Sequence, residues 1–186
     1  MIAHEPTRFP AFLFAFAFVA SMTNAQSKGR YDLDTTSHVL LLEGITMDDE
    51  DRPIAGARVR VEVDGKELAQ WNADTKGRFA VELDIGTMYA IDVVAEAYVK
   101  KRFIVDTRTE DPASIVTVPF EAHVSLIKES DMEGADLGEL DFPFAFVTYD
   151  AKEKAYMADP VYIEEMKRLE SALMLSSARA RKRRPQ

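Results

Sequence analysis

The stretch Arg52–Lys66, RPIAGARVRVEVDGK, decides how the rest of the chain reads. Ala57, Val59, Val61 and Val63 alternate with Arg58, Arg60 and Glu62. A period of two sends the apolar set to one face of a strand and the charges to the other. Asp64-Gly65 closes the strand with a hairpin turn, because glycine tolerates positive φ. Pro53 presets φ at a turn, and Gly56 lets the chain enter the sheet at close quarters. Arg58, Arg60 and Glu62 read as ordinary solvated charge on the outer face.

The same logic extends in both directions. HVLLLEG, starting at His38 and ending at Gly44, is a candidate first strand. MDDEDRP is a loop, and Pro53 stops pairing across it. KELAQWNA returns as a strand, and Asp74–Gly77 turns again. RFAVEL points Phe79, Val81 and Leu83 inward. Tyr89, Ile91, Val93 and Ala95 form the next alternating set, followed by Val99, Lys101, Phe103 and Val105. Lys101 breaks an apolar face, as charged residues do near a sheet edge. A long strand is predicted from Ile115 to Leu126, and Pro119 inside it, lacking an N–H, places it at an edge or a bend. Strands at this regular spacing predict an all-β, antiparallel sandwich of about seven strands over residues 38–126.

Residues 127–158 read as an acidic loop and an extra hairpin using Phe144, Phe146, Tyr149 and Tyr156. Asp159-Pro160 opens a C-terminal helix over residues 159–178, with aspartate at the N-cap and proline in the first turn. Tyr162, Met166, Leu169 and Leu173 fall on one helical stripe. That stripe is either a partner face or core. Residues 179–186 form a basic tail in which Arg179, Arg181, Lys182, Arg183 and Arg184 offer a contact for an anionic membrane surface or an acidic partner.

The other end has the layout of a secretory signal peptide, residues 1–25. Arg8 precedes the apolar run Ala11–Ala20, and Thr23 and Ala25 suit a cleavage site. The run is too short to span a bilayer. Residues 26–37 read as a linker. The chain has no cysteine, which removes disulfides, thiol nucleophiles and the lipid-attachment residue of a lipoprotein. A periplasmic or extracellular mature protein is expected. A formal charge of −9 on 186 residues argues against nucleic acid as partner.

A set of residues carries a resemblance. Gly44; Pro53-Ile54-x-Gly56-Ala57-x-Val59-x-Val61; Asp74-x-x-Gly77-x-Phe79; Tyr89-x-Ile91-x-Val93; and Tyr98 with Lys100 and Lys101 follow in order. Over about Val39–Thr107 this resembles the carboxypeptidase regulatory-like domain, a transthyretin-like β-sandwich common in envelope proteins of Bacteroidota-type bacteria. Ala73 stands where that family usually has threonine, and Ala97 where it usually has glycine. The turn at Ala97 is therefore expected to differ. The resemblance implies a structural role for Gly44, Pro53, Gly56, Asp74, Gly77, Phe79 and Tyr98, and says little about function.

The chemistry points away from catalysis. His4, His38 and His123 make no zinc motif, and no G-x-S-x-G elbow occurs. The acidic runs Asp48, Asp49, Glu50, Asp51 and Asp131, Glu133, Asp136 do not match an EF-hand and read as solvated loops. No cofactor or metal is expected. The reading is a non-enzymatic secreted or periplasmic module that binds or spaces other proteins, its partner an unidentified envelope protein. The alternative is a small carbohydrate-binding protein using Trp71.

Overall fold

The alternating run after Gly56 forms the strand it predicts. In the computed structural model, which describes residues 39–110 and 119–183, Val59 and Val61 are buried on one side of β2, Arg58–Val63. The first strand, β1, is Val39–Met47. After β2 come β3 (Lys66–Asn72), β4 (Arg78–Asp84), β5 (Met88–Val94) and β6 (Lys101–Asp106). Then follow β7 (Phe120–Ser125), β8 (Ala145–Asp150), β9 (Ala155–Ala158) and the helix α1 (Pro160–Arg183). The signal peptide, the linker, residues 115–118 of the long strand, and Arg184 lie outside the described residues.

The strands form two sheets, β4-β1-β7 and β3-β2-β5-β6-β8-β9. Between them lies the core, with Leu40, Leu42, Phe79, Val81 and Leu83 facing Val59, Val61, Ile91, Val93, Phe103 and Val105. Each such side chain, fully buried, contributes about 1.5–3 kcal/mol, so this layer outweighs any surface pairing. The fold is a mostly β sandwich with a C-terminal helix.

The antiparallel expectation holds for β1–β4, β2–β3, β2–β5, β5–β6 and β8–β9. It fails at β1–β7 and β6–β8, which are parallel. Both of those pairs join strands distant in sequence, and parallel neighbours need a long crossover where hairpins do not. The second case also moves a boundary. The β8–β9 hairpin is not an appendage after residue 126 but continues the large sheet, with Phe103 opposite Ala145 and Val105 opposite Val147. β7 is an edge strand and begins just after Pro119, as proline requires.

Lys101 corrects another expectation. β6 lies between β5 and β8, so Lys101 is not near an edge. Its Nζ is 2.6 Å from Glu170 Oε1 on α1 and sits 5.4 Å from the ring centroid of Phe144. The helix supplies the countercharge that the strand pattern could not show. α1 also runs to Arg183, past the end expected at residue 178. The basic segment has no glycine or proline before Pro185 to stop it.

Most motif residues have the expected structural jobs, but Gly56 does not serve a close approach: a Cβ there would meet open space, and its φ of 71° is what favours glycine. Gly44 faces Phe79 across β1 and β4, and a Cβ at position 44 would collide with the ring. Thr46 is fully buried and gathers three segments. Its N–H donates to Gly77 O at 2.8 Å, its hydroxyl donates to Ile54 O at 2.9 Å, and its carbonyl accepts from Ile54 N at 2.9 Å. A Cβ on Gly77, which has φ of 71°, would strike Thr46 O. Asp74 Oδ1 accepts from Lys76 N and Arg78 N, each at 2.8 Å, closing the turn into β4. Tyr98 bridges to Lys128, and Pro53 to Met47. Ala97 has φ of 65°, a left-handed conformation that alanine adopts under strain.

Two outcomes follow for stability. Ala97→Gly relieves that strain and raises the urea-unfolding free energy by about 1 kcal/mol. Gly44→Ala lowers it by about 1–3 kcal/mol through overpacking. Adding Phe79→Leu to Gly44→Ala recovers part of the loss, and strictly additive costs in the double-mutant cycle would contradict the Gly44–Phe79 contact.

Candidate functional site

On the outer face of the large sheet, the alternation that buries Val59 and Val61 turns Arg60 and Glu62 outward. Strand register then sets Arg60 opposite Asp92, and Asp92 opposite Arg102. Asp92 is fully buried beneath the longer side chains on either side. Its Oδ1 accepts from Arg102 Nε at 2.6 Å, and its Oδ2 accepts from Arg102 Nη2 and Arg60 Nη2, each at 2.9 Å. Arg102 Nη2 also donates to Glu62 Oε2 at 2.9 Å, and Lys100 Nζ stands 4.0 Å from Asp92. Arg60 and Arg102 each keep about a third of their side-chain surface in water. Burial pushes the Asp92 carboxyl up, but the hydrogen bond and charge of Arg102, helped by Lys100 and Arg60, outweigh it and hold the group below its ordinary range. Arg60 and Glu62 thus belong to a clamp across β2, β5 and β6 and are not the solvated charges that the alternation alone suggested, whereas Arg58 is exposed as expected.

Beside the clamp the same face becomes apolar. Ile104 pairs with Phe146, and Thr148 with Met157. Phe146 is 39% exposed, Met157 46% and Met88 49%. The ring of Tyr162 meets Phe146 edge-on at 4.9 Å, and its hydroxyl donates to Pro143 O at 2.6 Å. One sheet face therefore carries a neutralised charge lattice and an exposed apolar strip.

Of the two readings of the α1 stripe, partner face or core, the packing is that of core. Met166 and Leu173 are buried, and Leu173 and Leu169 pack with Ile127 and Met132. Ser177, fully buried, donates to Glu133 O at 2.8 Å. Tyr162, Met166, Leu169 and Leu173 are core contacts because the open side of the sandwich needs a cover. Of the basic residues, Arg181 is tied to Ser130 O at 2.7 Å and lies 3.7 Å from Asp131. Arg179 and Lys182 are exposed.

The first acidic run folds around its own arginine. Asp48 is 3% exposed and accepts from Glu50 N, Arg52 N and Arg52 Nε at 2.9–3.0 Å. Arg52 also pairs with Glu50 at 2.8 Å. The hydrogen bond from the Arg52 side chain, against the cost of burial and with help from the two backbone N–H groups, lowers the Asp48 pKa to about 2. In the second run, Asp136 accepts from Gly138 N and Asp131 lies beside Arg181. Among the described residues no three histidine or acidic side chains group as metal ligands. An open depression of about 550 Å³ over the small sheet is lined by Glu43, Arg78, Glu121 and His123. Its lining holds no serine, threonine or cysteine.

Asp92, Arg102 and Glu170 were missed by the sequence reading. Asp92 takes the outward position of an alternating strand, which by itself reads as solvated, and its burial comes from Arg60 and Arg102 on the neighbouring strands.

No family model and no curated protein matches the chain. Solved structures similar to it include the TIE protein of Bacillus anthracis, with 18% identity and a TM-score of 0.40 over 48% of this chain and 17% of that one. The major pilin subunit BcpA of Bacillus cereus aligns with 20% identity and a TM-score of 0.34, over 48% and 28%. A 3-chlorocatechol 1,2-dioxygenase from Rhodococcus opacus 1CP aligns with 11% identity and a TM-score of 0.35, over 48% and 60%. The chain thus spans less than two thirds of each of these structures. Similarity at this level says nothing about a shared activity.

Asp92→Ala leaves two guanidinium groups without their acceptor. It lowers stability by about 2–3 kcal/mol, below the cost of a dry pair because both groups reach water. Asp92→Asn tests the charge alone. With its folded pKa depressed, the carboxylate stabilises fully above the unfolded-state value of about 4 and loses that contribution as pH falls through the folded pKa. The wild-type advantage over Asp92→Asn in urea midpoint therefore shrinks below about pH 4. An advantage independent of pH down to acid unfolding would contradict the clamp.

Proposed function

We propose that this domain is a non-enzymatic module that binds or spaces other proteins at the cell envelope, working in the periplasm or outside the cell. The outer face of the large sheet carries this reading. Phe146 and Met157 adjoin there with Ile104, and beside them Asp92 is held by Arg102 and Arg60. Exposed apolar groups on a flat, rigid face suit protein contact, and a charge lattice at the rim favours one register over others. The partner is an unidentified envelope protein.

The finer class we infer is the carboxypeptidase regulatory-like sandwich. Support comes from Gly44, Gly77 and Asp74, each of which serves a packing or turn requirement, and from Ala97, whose φ of 65° lies in the region that favours glycine, the residue usual there. Export is supported by the layout of residues 1–25. No described helix is long and apolar enough to cross a membrane. The glycan reading has less behind it, since Trp71 is half-buried and packs on the core.

A photo-crosslinking residue at Phe146, in native envelopes, is expected to capture a protein that the same residue at Glu43, on the outer face of the small sheet, does not. Met157→Asp, at an exposed side chain of the strip that does not support α1, weakens co-purification of that protein without shifting the unfolding midpoint. Equal capture from both faces, or quenching of Trp71 by glycans without capture, would sink the proposal.

A further inference from the structure

The solvent side of α1 holds a second surface, separate from the sheet face. Arg168, Leu175, Arg179 and Lys182 fall at steps of about two, one and one helical turns, so they share one exposed stripe. None of the three cations has a hydrogen-bond or ion-pair partner among the described residues. Leu175 between them is 59% exposed. The opposite side of the helix is fixed to the domain through Glu170, Ser177 and Arg181, so the stripe has a defined direction. From residue 168 onward the chain has Glu170 as its one acidic residue, and Glu170 is held by Lys101. Glu164 and Glu165 lie one turn before Arg168, with Glu164 paired to Lys167 at 3.1 Å, so the acidic charge sits at the N-terminal limit of the stripe.

We propose that the solvent face of α1, from its middle to its C-terminal end, docks the domain on a phosphate-bearing anionic lipid surface through Arg168, Arg179 and Lys182. The cations are strung along about 21 Å of helix, a spacing suited to a plane of many phosphates and not to one compact anion. Leu175 supplies an apolar group for the acyl boundary. The rest of a chain with net charge −9 is repelled by such a surface, which leaves this stripe as the approach. The inference goes beyond the scaffold reading and stands without it, because vesicle binding and protein capture are measured separately.

The test is co-sedimentation of the full chain with vesicles of phosphatidylcholine alone or mixed with phosphatidylglycerol. The apolar run Ala11–Ala20 is common to every sample, so the reading is the difference between the two compositions. Wild type is expected to prefer the anionic vesicles, with a preference that falls as salt rises. Each cation removed costs about fivefold, so Arg168→Gln/Arg179→Gln/Lys182→Gln loses on the order of a hundredfold. Should that variant unfold, Arg179→Gln/Lys182→Gln reads the same effect at about twenty-five-fold. Arg58→Gln/Lys66→Gln/Lys76→Gln changes the net charge equally, elsewhere on the domain, and keeps the preference. Equal binding to both vesicles, equal loss in the two triple variants, or tighter binding to immobilised polyglutamate than to anionic vesicles would overturn it, the last by pointing to an acidic protein.

Discussion

A carboxylate removed from water costs several kcal/mol unless its charge is met, and Asp92 is fully removed. Arg102 grips it with two donors and Arg60 with a third. The consequence is register. A slip of one residue in β5 would turn Asp92 into the apolar layer and Ile91 or Val93 into water. β2, β5 and β6 are the middle of the large sheet, and the other strands are added to that frame. Hydrophobic burial supplies most of the stability, while the ionic clamp selects one arrangement among those that bury similar area.

The large sheet leaves one side of the sandwich open, and the residues after β7 close it. β8 joins β6 in parallel, which carries Ala145 and Val147 into the core, and β9 follows antiparallel. α1 then covers what remains. Its N-cap is made by Asp159, whose Oδ1 accepts from Val161 N at 2.9 Å and Tyr162 N at 3.2 Å. Its apolar stripe seats on Phe146, Ile127 and Met132, and Lys101–Glu170 joins it to β6. The helix face left in water is then basic toward its C-terminal end, and the sheet face left in water is apolar beside β9. Both candidate surfaces follow from how the sandwich is closed.

Much of the fold was legible because short-range rules govern it. The period of two in β2, β4 and β5, the glycine turns at Gly65 and Gly77, and the Asp159-Pro160 helix start are local signals. The errors share one cause. Lys101 at an interior strand, the parallel β6–β8 pair and the clamped Arg60 all depend on partners far along the chain. Asp92 lies 32 residues from Arg60, and Lys101 meets a residue on the last helix. Patterns within a window of a few residues carry no record of such pairs.

Composition and pattern by themselves determined a cysteine-free, acidic chain that must stabilise a β-sandwich by its apolar core alone, with a helix behind it and a basic end. They determined which residues turn, because a glycine at positive φ or a carboxylate that accepts two backbone N–H groups acts over a few bonds. Only the tertiary structure decided which charges are free. Arg60, Arg102, Lys101 and Arg181 are bound by carboxylates from distant segments, whereas Arg168, Arg179 and Lys182 are left facing water. The reason is physical: a charge is neutralised by whatever the folded chain brings within a few ångströms of it, and sequence order does not set that distance.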